Sequence, residues 1–561
     1  MEAVIVQVEA LHPEAAIVAL QEVAVAEVVV AADLQALDPV QDLAAEEDVK
    51  KNLIQSSLFI KFDSVMKKTR YIFIAMLLMS TMAMGQNFSE ALRLSNYQIQ
   101  GTAHSMAMGN AIGAIGGDFT SLSINPAGIA VYQTNEFTFT PTFNFNKSEL
   151  NIDKSSFSDN NFKFNFGQLG YVSSSSLANT SSIVRFNFGV GFNRLADFNQ
   201  VSMGSYGESS SSFLDGIANY STNESLSKSY LGQSFNQVEY RDWNSKLAWD
   251  TYLIDPIKDG NGDEIDGEYV SILYEGETVN QHKSWESNGG INEYLISGGL
   301  NFNHKFYLGA TIGIHDLYYN RTSYYSEKFS DDSDSFSYVD DYDLSGTGYV
   351  FKLGAIYKPI SSIRFGLAFH TPTYYVLDEE SNLSMESNLS KNYYSSGTNL
   401  FSYNFYTPLK AIFSGAFVIS KAAILSFDAE YVDYSAMRYR DGSNNDPMTD
   451  VNTDIDNSYN QVFNYRLGGE VRVSKALSLQ AGYELYANPF KSDATLNGGS
   501  LKNELSSISV GIGYSNKSFY FDTAYKYSTA STMVNDVQPN YSNLPIDFTN
   551  QKLIMSFGFR F

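Results

Sequence analysis

The chain has 561 residues and a formal net charge of −25, from 62 acidic and 37 basic side chains. This charge argues against a nucleic-acid partner, because phosphate binding needs clustered lysine and arginine. The absence of cysteine excludes disulfides, thiol catalysis and cysteine-ligated metals. Aromatic residues make up 14% of the chain, yet the mean hydropathy is −0.21, so apolar and polar residues are interleaved. Such interleaving is typical of a transmembrane β-barrel.

The N-terminal region contains two segments that we expect to lie outside the mature fold. Residues 66–85 have the parts of a secretory signal peptide: a basic start, a short apolar core and a cleavage site of small residues. Residues 1–65 contain no Gly, Thr, Arg, Tyr or Trp, and we interpret them as a mis-called extension. The alternative is a cytoplasmic helix that turns Tyr71 to Met79 into an anchor, although this core is too short to span a bilayer comfortably.

From Glu136 onward, apolar and polar residues alternate in segments of about 10 residues, as expected for strands of an outer-membrane barrel. Fourteen such segments are found, at 136–146, 161–173, 182–194, 292–302, 304–315, 348–358, 361–370, 409–419, 423–433, 461–473, 476–487, 504–515, 518–528 and 552–561. The sequence therefore predicts an all-β fold, a 14-stranded antiparallel transmembrane β-barrel over residues 136–561.

Connections between these segments are alternately short and long. Bacterial barrels have short periplasmic turns and longer extracellular loops, so we expect large extracellular loops at 195–291, 316–347, 371–408 and 434–460. Strand parity turns a set of charged side chains toward the lumen: Arg185, Asp428, Glu430, Arg466, Glu470, Arg472 and Arg560. These residues form either a ladder of lumen salt bridges that holds the barrel rigid or a polar lining for ligand transit.

Residues 86–135 precede the first strand and are rich in glycine and other small residues, which allow close backbone packing. Such a composition suits a hatch, or plug, inside the lumen. The run Ser123-Ile124-Asn125-Pro126-Ala127-Gly128-Ile129-Ala130 resembles the N-terminal hatch of the FadL/TodX family of outer-membrane transporters. The resemblance assigns the hatch and its gating to Asn125, Pro126, Ala127 and Gly128.

The same resemblance implies a 14-stranded barrel that takes up hydrophobic small molecules, long-chain fatty acids being the best single cargo. Hatch movement then releases the ligand sideways through the barrel wall, beside an inward kink in the third strand. Glycines inside a strand mark bends or close backbone approach, so Gly189 and Gly191 are our candidates for the kink. The long connection 195–291 departs from the family pattern, which leaves the cargo open.

Two other functions stay open at this point. Histidine can ligate haem iron, so His104, His315 and His370 make a haem (haemin) uptake receptor one alternative. A general diffusion porin is the other, although a porin would lack a plug. No zinc-protease, nucleophile-elbow or phosphate-loop motif is present, so we expect no enzyme activity, no cofactor and no metal site.

The expected partners follow from this interpretation. They are a hydrophobic small-molecule ligand, the lipid of the Gram-negative outer membrane, and the outer-membrane assembly machinery. A final strand that ends in a terminal aromatic residue, here Phe561, resembles the signal by which barrels reach that machinery. We therefore expect export through the signal peptide to the cell outer membrane.

Overall fold

A computed structural model describes residues 88–152, 155–177, 182–274, 276–330, 334–389, 392–420, 422–492, 494–496, 499–500, 502–533 and 545–561. The predicted extension 1–65 and the predicted signal peptide 66–85 lie outside the described residues.

Fourteen antiparallel strands close into a barrel. In chain order they are β1 (Glu136–Ile152), β2 (Ser155–Ser176), β3 (Ile183–Asp197), β4 (Val279–Phe302), β5 (Phe306–Phe329), β6 (Ser335–Ile360), β7 (Ile363–His370), β8 (Lys410–Ile419), β9 (Ala423–Asp433), β10 (Gln461–Arg472), β11 (Leu477–Tyr486), β12 (Asn503–Ser515), β13 (Phe519–Met533) and β14 (Pro545–Arg560). Each strand pairs with its sequence neighbours, and β14 closes the barrel on β1, with Glu136 opposite Arg560. The predicted fold class is confirmed, and each predicted segment coincides with one strand.

Alternation along the strands determines which side chains meet lipid. In β10, Phe463, Tyr465 and Leu467 are exposed on the outside, whereas Arg466 and Glu470 are buried on the inside. The same pattern holds in the other strands, so the outer surface carries a continuous belt of exposed aromatic and aliphatic residues. Monomeric soluble proteins rarely expose apolar area on this scale. The belt therefore marks the surface as the lipid-facing side of a membrane-spanning barrel.

At one end of the barrel the strands are joined by short turns. At the other end, β1–β2 and β5–β6 are also joined by a few residues, whereas β3–β4, β7–β8 and β9–β10 are joined by long connections. Among the described residues, no helix combines the length and apolarity needed to cross a bilayer.

The long connection between β3 and β4 folds into a small domain, which we call the cap (residues 210–274). It contains helices Phe213–Asn223, Lys228–Leu231 and Trp243–Asp250, short 3-10 helices Phe235–Gln237 and Tyr240–Asp242, and a hairpin of strands Ile254–Lys258 and Glu264–Ser271. Its core includes Phe213, Leu214, Trp243 and Leu247, and these pack on Phe336 at the top of β6. Before the cap, strand Gln200–Ser209 pairs with the first part of β4. The predicted loop 195–291 is therefore structured throughout its described residues: its ends belong to β3 and β4, and its middle forms this strand and the cap.

The other long connections are also structured. The predicted loop 316–347 is a continuation of β5 and β6 beyond the membrane belt. Between β7 and β8 lies a hairpin of strands Tyr374–Ser387 and Asn392–Tyr406. The β9–β10 connection holds the 3-10 helix Tyr434–Ala436, strand Arg438–Asp441 and helix Thr449–Ser458, and two short strands, Thr495–Leu496 and Gly499–Ser500, follow β11.

Residues 88–135, the lumen segment, pack against the inward faces of the barrel strands. They form helices Phe88–Ser95, Ala103–Ala107 and Ser121–Ile124 and the 3-10 helix Pro126–Val131. Hydrogen bonds tie the segment to opposite parts of the wall: Ala103 N to Ser556 Oγ on β14 (2.6 Å), Gly113 N to Asp428 Oδ2 on β9 (3.1 Å), and Thr311 Oγ1 on β5 to Leu122 O (3.1 Å). The segment therefore lies inside the barrel and fills its lumen at this level.

Inward-facing glycines make room for the lumen segment. A Cβ placed at any of ten of them would come within 3.0 Å of an atom of the segment, which real Cβ atoms essentially never do. We call this set the glycine ring: Gly170, Gly189, Gly191, Gly299, Gly309, Gly354, Gly366, Gly468, Gly482 and Gly511. The missing side chains let the backbones approach closely, so the wall is shaped to the segment.

Candidate functional site

The backbone ladder of the barrel is interrupted between β2 and β3. The two strands pair from Ser176 opposite Arg185 to Gln168 opposite Asn193. Beyond that point, residues 155–167 of β2 continue to pair with β1, while β3 turns along β4 with a register shift between Arg194 and Ala196. We call this interval, where β2 has no described ladder partner on its β3 side, the wall break.

Side chains rather than backbone groups bridge the wall break. Asp197 Oδ2, at the end of β3, accepts hydrogen bonds from Asn165 Nδ2 on β2 (2.7 Å) and Asn144 Nδ2 on β1 (2.8 Å). Lys163 Nζ on β2 reaches Asn288 Oδ1 on β4 (3.1 Å). Side chains of β1 also donate to backbone carbonyls of the chain after β3, from Asn146 Nδ2 to Asn199 O (2.7 Å) and from Ser148 Oγ to Val201 O. Backbone groups in lipid must find partners within the protein, so a strand edge without a backbone ladder is the weakest line of this wall.

The break does not lie at Gly189 and Gly191, the kink candidates from the sequence. Both glycines stay in register with β2 and β4, so the ladder continues through the two predicted kink positions. Their lack of a side chain serves packing instead: a Cβ would meet Ile129 at Gly189 and Phe119 at Gly191. The chain departs from the regular ladder a few residues later, after Asn193.

Asn125, Pro126, Ala127 and Gly128 form a capped turn docked on the wall. Asn125 Oδ1 accepts from Ala127 N (3.1 Å) and so caps the 3-10 helix, where Pro126 occupies the first turn. Asn125 Nδ2 donates to Ala355 O on β6 (3.2 Å). Gly128 N donates to Asn125 O (2.9 Å). All four residues are buried, so the predicted hatch motif is the part of the lumen segment that is held by β6.

Four of the predicted lumen residues are buried and engaged with each other or with the lumen segment. Arg466 Nη2 donates to Glu430 Oε2 (2.7 Å), Glu470 Oε2 lies 3.0 Å from His104 Nε2, and Asp428 accepts from Gly113 N. A buried ion pair of this kind is stabilising only while both partners remain. The inward charges therefore hold the segment as well as one another.

The other three predicted lumen arginines lie at the short-turn end. Arg560 Nε donates to Glu136 Oε2 across the seam between β14 and β1 (2.9 Å). Arg185 Nη1 donates to Gln133 O (3.0 Å), and Arg472 is exposed, with its Nε 3.5 Å from Glu470 Oε1. These residues are placed to fix the end of the barrel and the exit of the segment rather than to line a path.

The three histidines of the haem alternative have separate protein partners. His104 lies between Asp118 (3.2 Å) and Glu470 (3.0 Å). His315 Nδ1 is 2.7 Å from the Tyr375 hydroxyl, and His370 Nε2 donates to Ile124 O (2.9 Å). Among the described residues, no group of three or more His, Asp or Glu side chains is arranged to hold a metal ion.

The sequence analysis missed a cluster of aromatic and aliphatic side chains inside the barrel, toward the long-connection end. Helix Phe88–Ser95 buries Leu92 and Leu94 in it, and the Arg93 guanidinium lies 4.3 Å from the Tyr319 ring centre. We call the surrounding tyrosines and phenylalanine the aromatic cluster: Tyr319, Tyr342, Tyr375, Tyr403, Phe405, Tyr434, Tyr439 and Tyr459. The sequence feature that could have indicated this cluster is the high frequency of tyrosine in the connections after residue 316.

Solved structures similar to this chain include the P. putida toluene transporter TodX, a Pseudomonas aeruginosa FadL homologue and the Ralstonia pickettii toluene transporter TbuX. TodX is 13% identical, with 82% of this chain and 99% of that chain covered and a TM-score of 0.46. The FadL homologue is 12% identical, with 83% and 98% covered and a TM-score of 0.47. TbuX is 13% identical, with 82% and 99% covered and a TM-score of 0.45. No protein-family model and no curated protein matches the chain.

Proposed function

We propose that this protein is an outer-membrane transporter that takes up hydrophobic small molecules, with long-chain fatty acids as its cargo. One observation carries the proposal: the lumen segment is held inside the barrel by hydrogen bonds to opposite walls, and beside it residues 155–167 of β2 have no described ladder partner on the β3 side. A filled lumen disfavours an open diffusion porin. A lateral path into lipid suits a cargo that partitions out of water.

In this proposal the cargo enters between the cap and the neighbouring long connections, which face the cell exterior. It moves next among the side chains of the aromatic cluster, whose rings offer large apolar contact area. Movement of the lumen segment around Asn125 and Gly128, acting as a hatch, opens the way to the wall break. The cargo then leaves sideways into the membrane.

The haem alternative has less support. Axial ligation needs a histidine nitrogen that faces an open space, whereas each candidate histidine is engaged with a described partner, and His315 and His370 are buried. The outer-membrane location is supported by the apolar belt and by the alternation of short and long connections. Phe561, whose backbone N donates to Asn135 O (3.2 Å), ends the strand proposed to meet the assembly machinery.

Uptake into proteoliposomes tests this function. The full chain is reconstituted, and the entry of labelled oleate, haemin and a small sugar is followed against vesicles that lack the protein. Saturable entry of oleate, without entry of the sugar, supports the proposal. Entry of the sugar at a rate proportional to its concentration indicates a porin, and saturable entry of haemin alone indicates a haem receptor; either result overturns the proposed function.

A further inference from the structure

Lys552 is a buried lysine close to the wall break. It lies on β14 with its side chain facing the lumen and 7% exposed, and its ladder partners are Asn144 on β1 and Lys526 on β13. Within the part of the chain that the structure describes, no hydrogen bond or ion pair joins its ammonium group to another side chain. Burying a charge without a partner is costly, so this position points to a counter-ion that the chain itself does not supply.

Two carboxylates act electrostatically on Lys552, those of Asp197 and Glu484, and both are engaged elsewhere. Asp197 accepts from Asn144 and Asn165. Glu484 Oε1 accepts from Lys526 Nζ (2.6 Å). Lys526 is thus paired with Glu484, whereas its ladder neighbour Lys552 has no such partner among the described residues.

The lipid-facing side of the same wall is strongly apolar. On β2, Phe162, Phe164 and Phe166 are exposed to the extent of 51–56%, along the strand edge that has no β3 partner. They pack with Phe143 and Phe145 of β1, with ring-centre distances of 5.3 Å from Phe143 to Phe164 and 5.1 Å from Phe145 to Phe162. The wall break therefore has a lysine without an ion-pair partner near it on the lumen side and a row of aromatic rings on the lipid side.

We propose that Lys552 binds the anionic head group of a long-chain carboxylate as this amphiphile passes the wall break, while the phenylalanines of β1 and β2 contact its alkyl chain. This inference rests on the proposed function and assigns to Lys552 the recognition of the head group of its cargo. A hydrogen bond between an ammonium and a carboxylate is strong where water is largely excluded. A neutral hydrocarbon of the same length has no carboxylate, so Lys552 adds nothing to its binding affinity.

Binding of oleate and of oleyl alcohol to the full chain in detergent tests this assignment. Lys552→Met removes the charge and keeps the length, Lys552→Arg keeps the charge, and Lys517→Met removes an exposed lysine in the β12–β13 turn as a control. We expect Lys552→Met to weaken oleate binding about tenfold or more and to leave oleyl alcohol binding unchanged. Lys552→Arg and Lys517→Met should bind oleate as the natural chain does.

Thermal unfolding gives a second measurement that does not depend on a binding assay. Since Lys552→Met removes an uncompensated buried charge, the variant should unfold at a higher temperature than the natural chain without ligand. Added oleate should raise the unfolding temperature of this variant less than that of the natural chain. Equal oleate binding by Lys552→Met and the natural chain overturns the inference and leaves the proposed function standing.

Failure of the natural chain to bind either oleate or oleyl alcohol overturns the proposed function, and the inference with it. Binding of phosphatidylglycerol in mixed micelles is measured with the same variants. If Lys552→Met weakens the binding of phosphatidylglycerol but not that of oleate, the site belongs to a lipid phosphate, and the carboxylate cargo is overturned.

Discussion

The Asp197 carboxylate and the Asn165 amide are 2.7 Å apart and bridge the wall where β2 and β3 share no backbone hydrogen bonds. The same carboxylate also accepts from Asn144 at 2.8 Å. Asp197 thus connects the end of β3 to two strands at once. Its loss should loosen the barrel at one line without disturbing the ladders elsewhere.

Asp197→Ala is expected to make the wall break open more readily. Hydrogen bonds to charged groups contribute about 1.5–3 kcal/mol each, and the two that cross the wall break are removed together with those from Asn199. Backbone amides of residues 155–167 should exchange their hydrogens faster, and oleate uptake should rise. Asp263→Ala, in the exposed turn of the cap hairpin, is the control. Unchanged exchange at 155–167 would show that Asp197 does not hold the break closed.

Gly354→Ala is expected to displace the lumen segment from β6. An alanine Cβ there would collide with Asn125 Oδ1 and with the backbone nitrogens of Pro126 and Ala127, and overpacking of this kind costs about 1–3 kcal/mol. Gly415→Ala is a matched control, because a Cβ at Gly415 meets no atom within 4 Å. Limited proteolysis should cut the lumen segment of Gly354→Ala faster than that of Gly415→Ala. Equal rates of proteolysis in the two variants would show that the fit at Gly354 does not hold the lumen segment in place.

A disulfide between the lumen segment and the wall should abolish transport. A Cβ at Gly299 would lie 3.1 Å from Ala130 Cβ, close to the spacing of about 3.5–4.5 Å that a disulfide needs. It would also lie 2.5 Å from Ile129 Cγ2, so Ile129→Ala is added to make room for it. The chain has no cysteine of its own, so an Ile129→Ala, Ala130→Cys, Gly299→Cys variant can form no other internal bridge. Oxidation should stop oleate uptake, and a reducing agent should restore it. Full uptake in the oxidised form would exclude hatch movement at this point.

Docking of the lumen segment is expected to depend on pH through His104. Burial lowers the pKa of this imidazole, but hydrogen bonds to Asp118 and Glu470 outweigh burial and raise the pKa well above its ordinary value. The stabilisation is thus complete below the unfolded pKa of about 6.5 and is lost as the pH rises through the raised folded pKa. Hydrogen exchange of residues 103–107, corrected for intrinsic rates, should reveal weaker protection at alkaline pH. In His104→Gln the protection should be independent of pH over this range.

Leu247→Ala is expected to loosen the cap while leaving the barrel intact. Leu247 is fully buried in the core of the cap, and truncation of such a residue costs about 2–5 kcal/mol. Proteolysis of residues 210–274 should accelerate. The temperature at which the barrel unfolds, measured by the change in its mobility on an SDS gel after heating, should stay the same. Loss of the folded barrel would mean that the cap and the barrel unfold together.

The sequence was sufficient to predict the barrel because lipid on one side and packed polar groups on the other impose a period of two on each strand. Phe463 and Arg466 illustrate the two faces correctly. The cap was missed, since Leu247 and Phe213 are buried in a small core of mixed structure that carries no single period. The sequence predicts loops where β5 and β6 extend beyond the membrane belt, because the many serine and acidic residues there are too polar for membrane strands.

The candidate site was predicted less completely. The Asn125 motif indicated the lumen segment. The wall break, however, depends on contacts between Asp197 and residues far away in sequence, and no local sequence pattern predicts such contacts. Gly189 and Gly191 illustrate the same difficulty. A glycine in a strand signals either a bend or a close neighbour, and the neighbours here, Ile129 and Phe119, are known only after folding.

The glycine ring also determines where this chain can change during evolution. On the lipid face, a leucine can be exchanged for valine, phenylalanine or isoleucine with little consequence, since lipid adapts to any apolar shape. At Gly354 or Gly482 even one added methyl group collides with the lumen segment. Substitutions should therefore accumulate on the outside of the barrel, while the two touching inner surfaces can vary only when both partners change together.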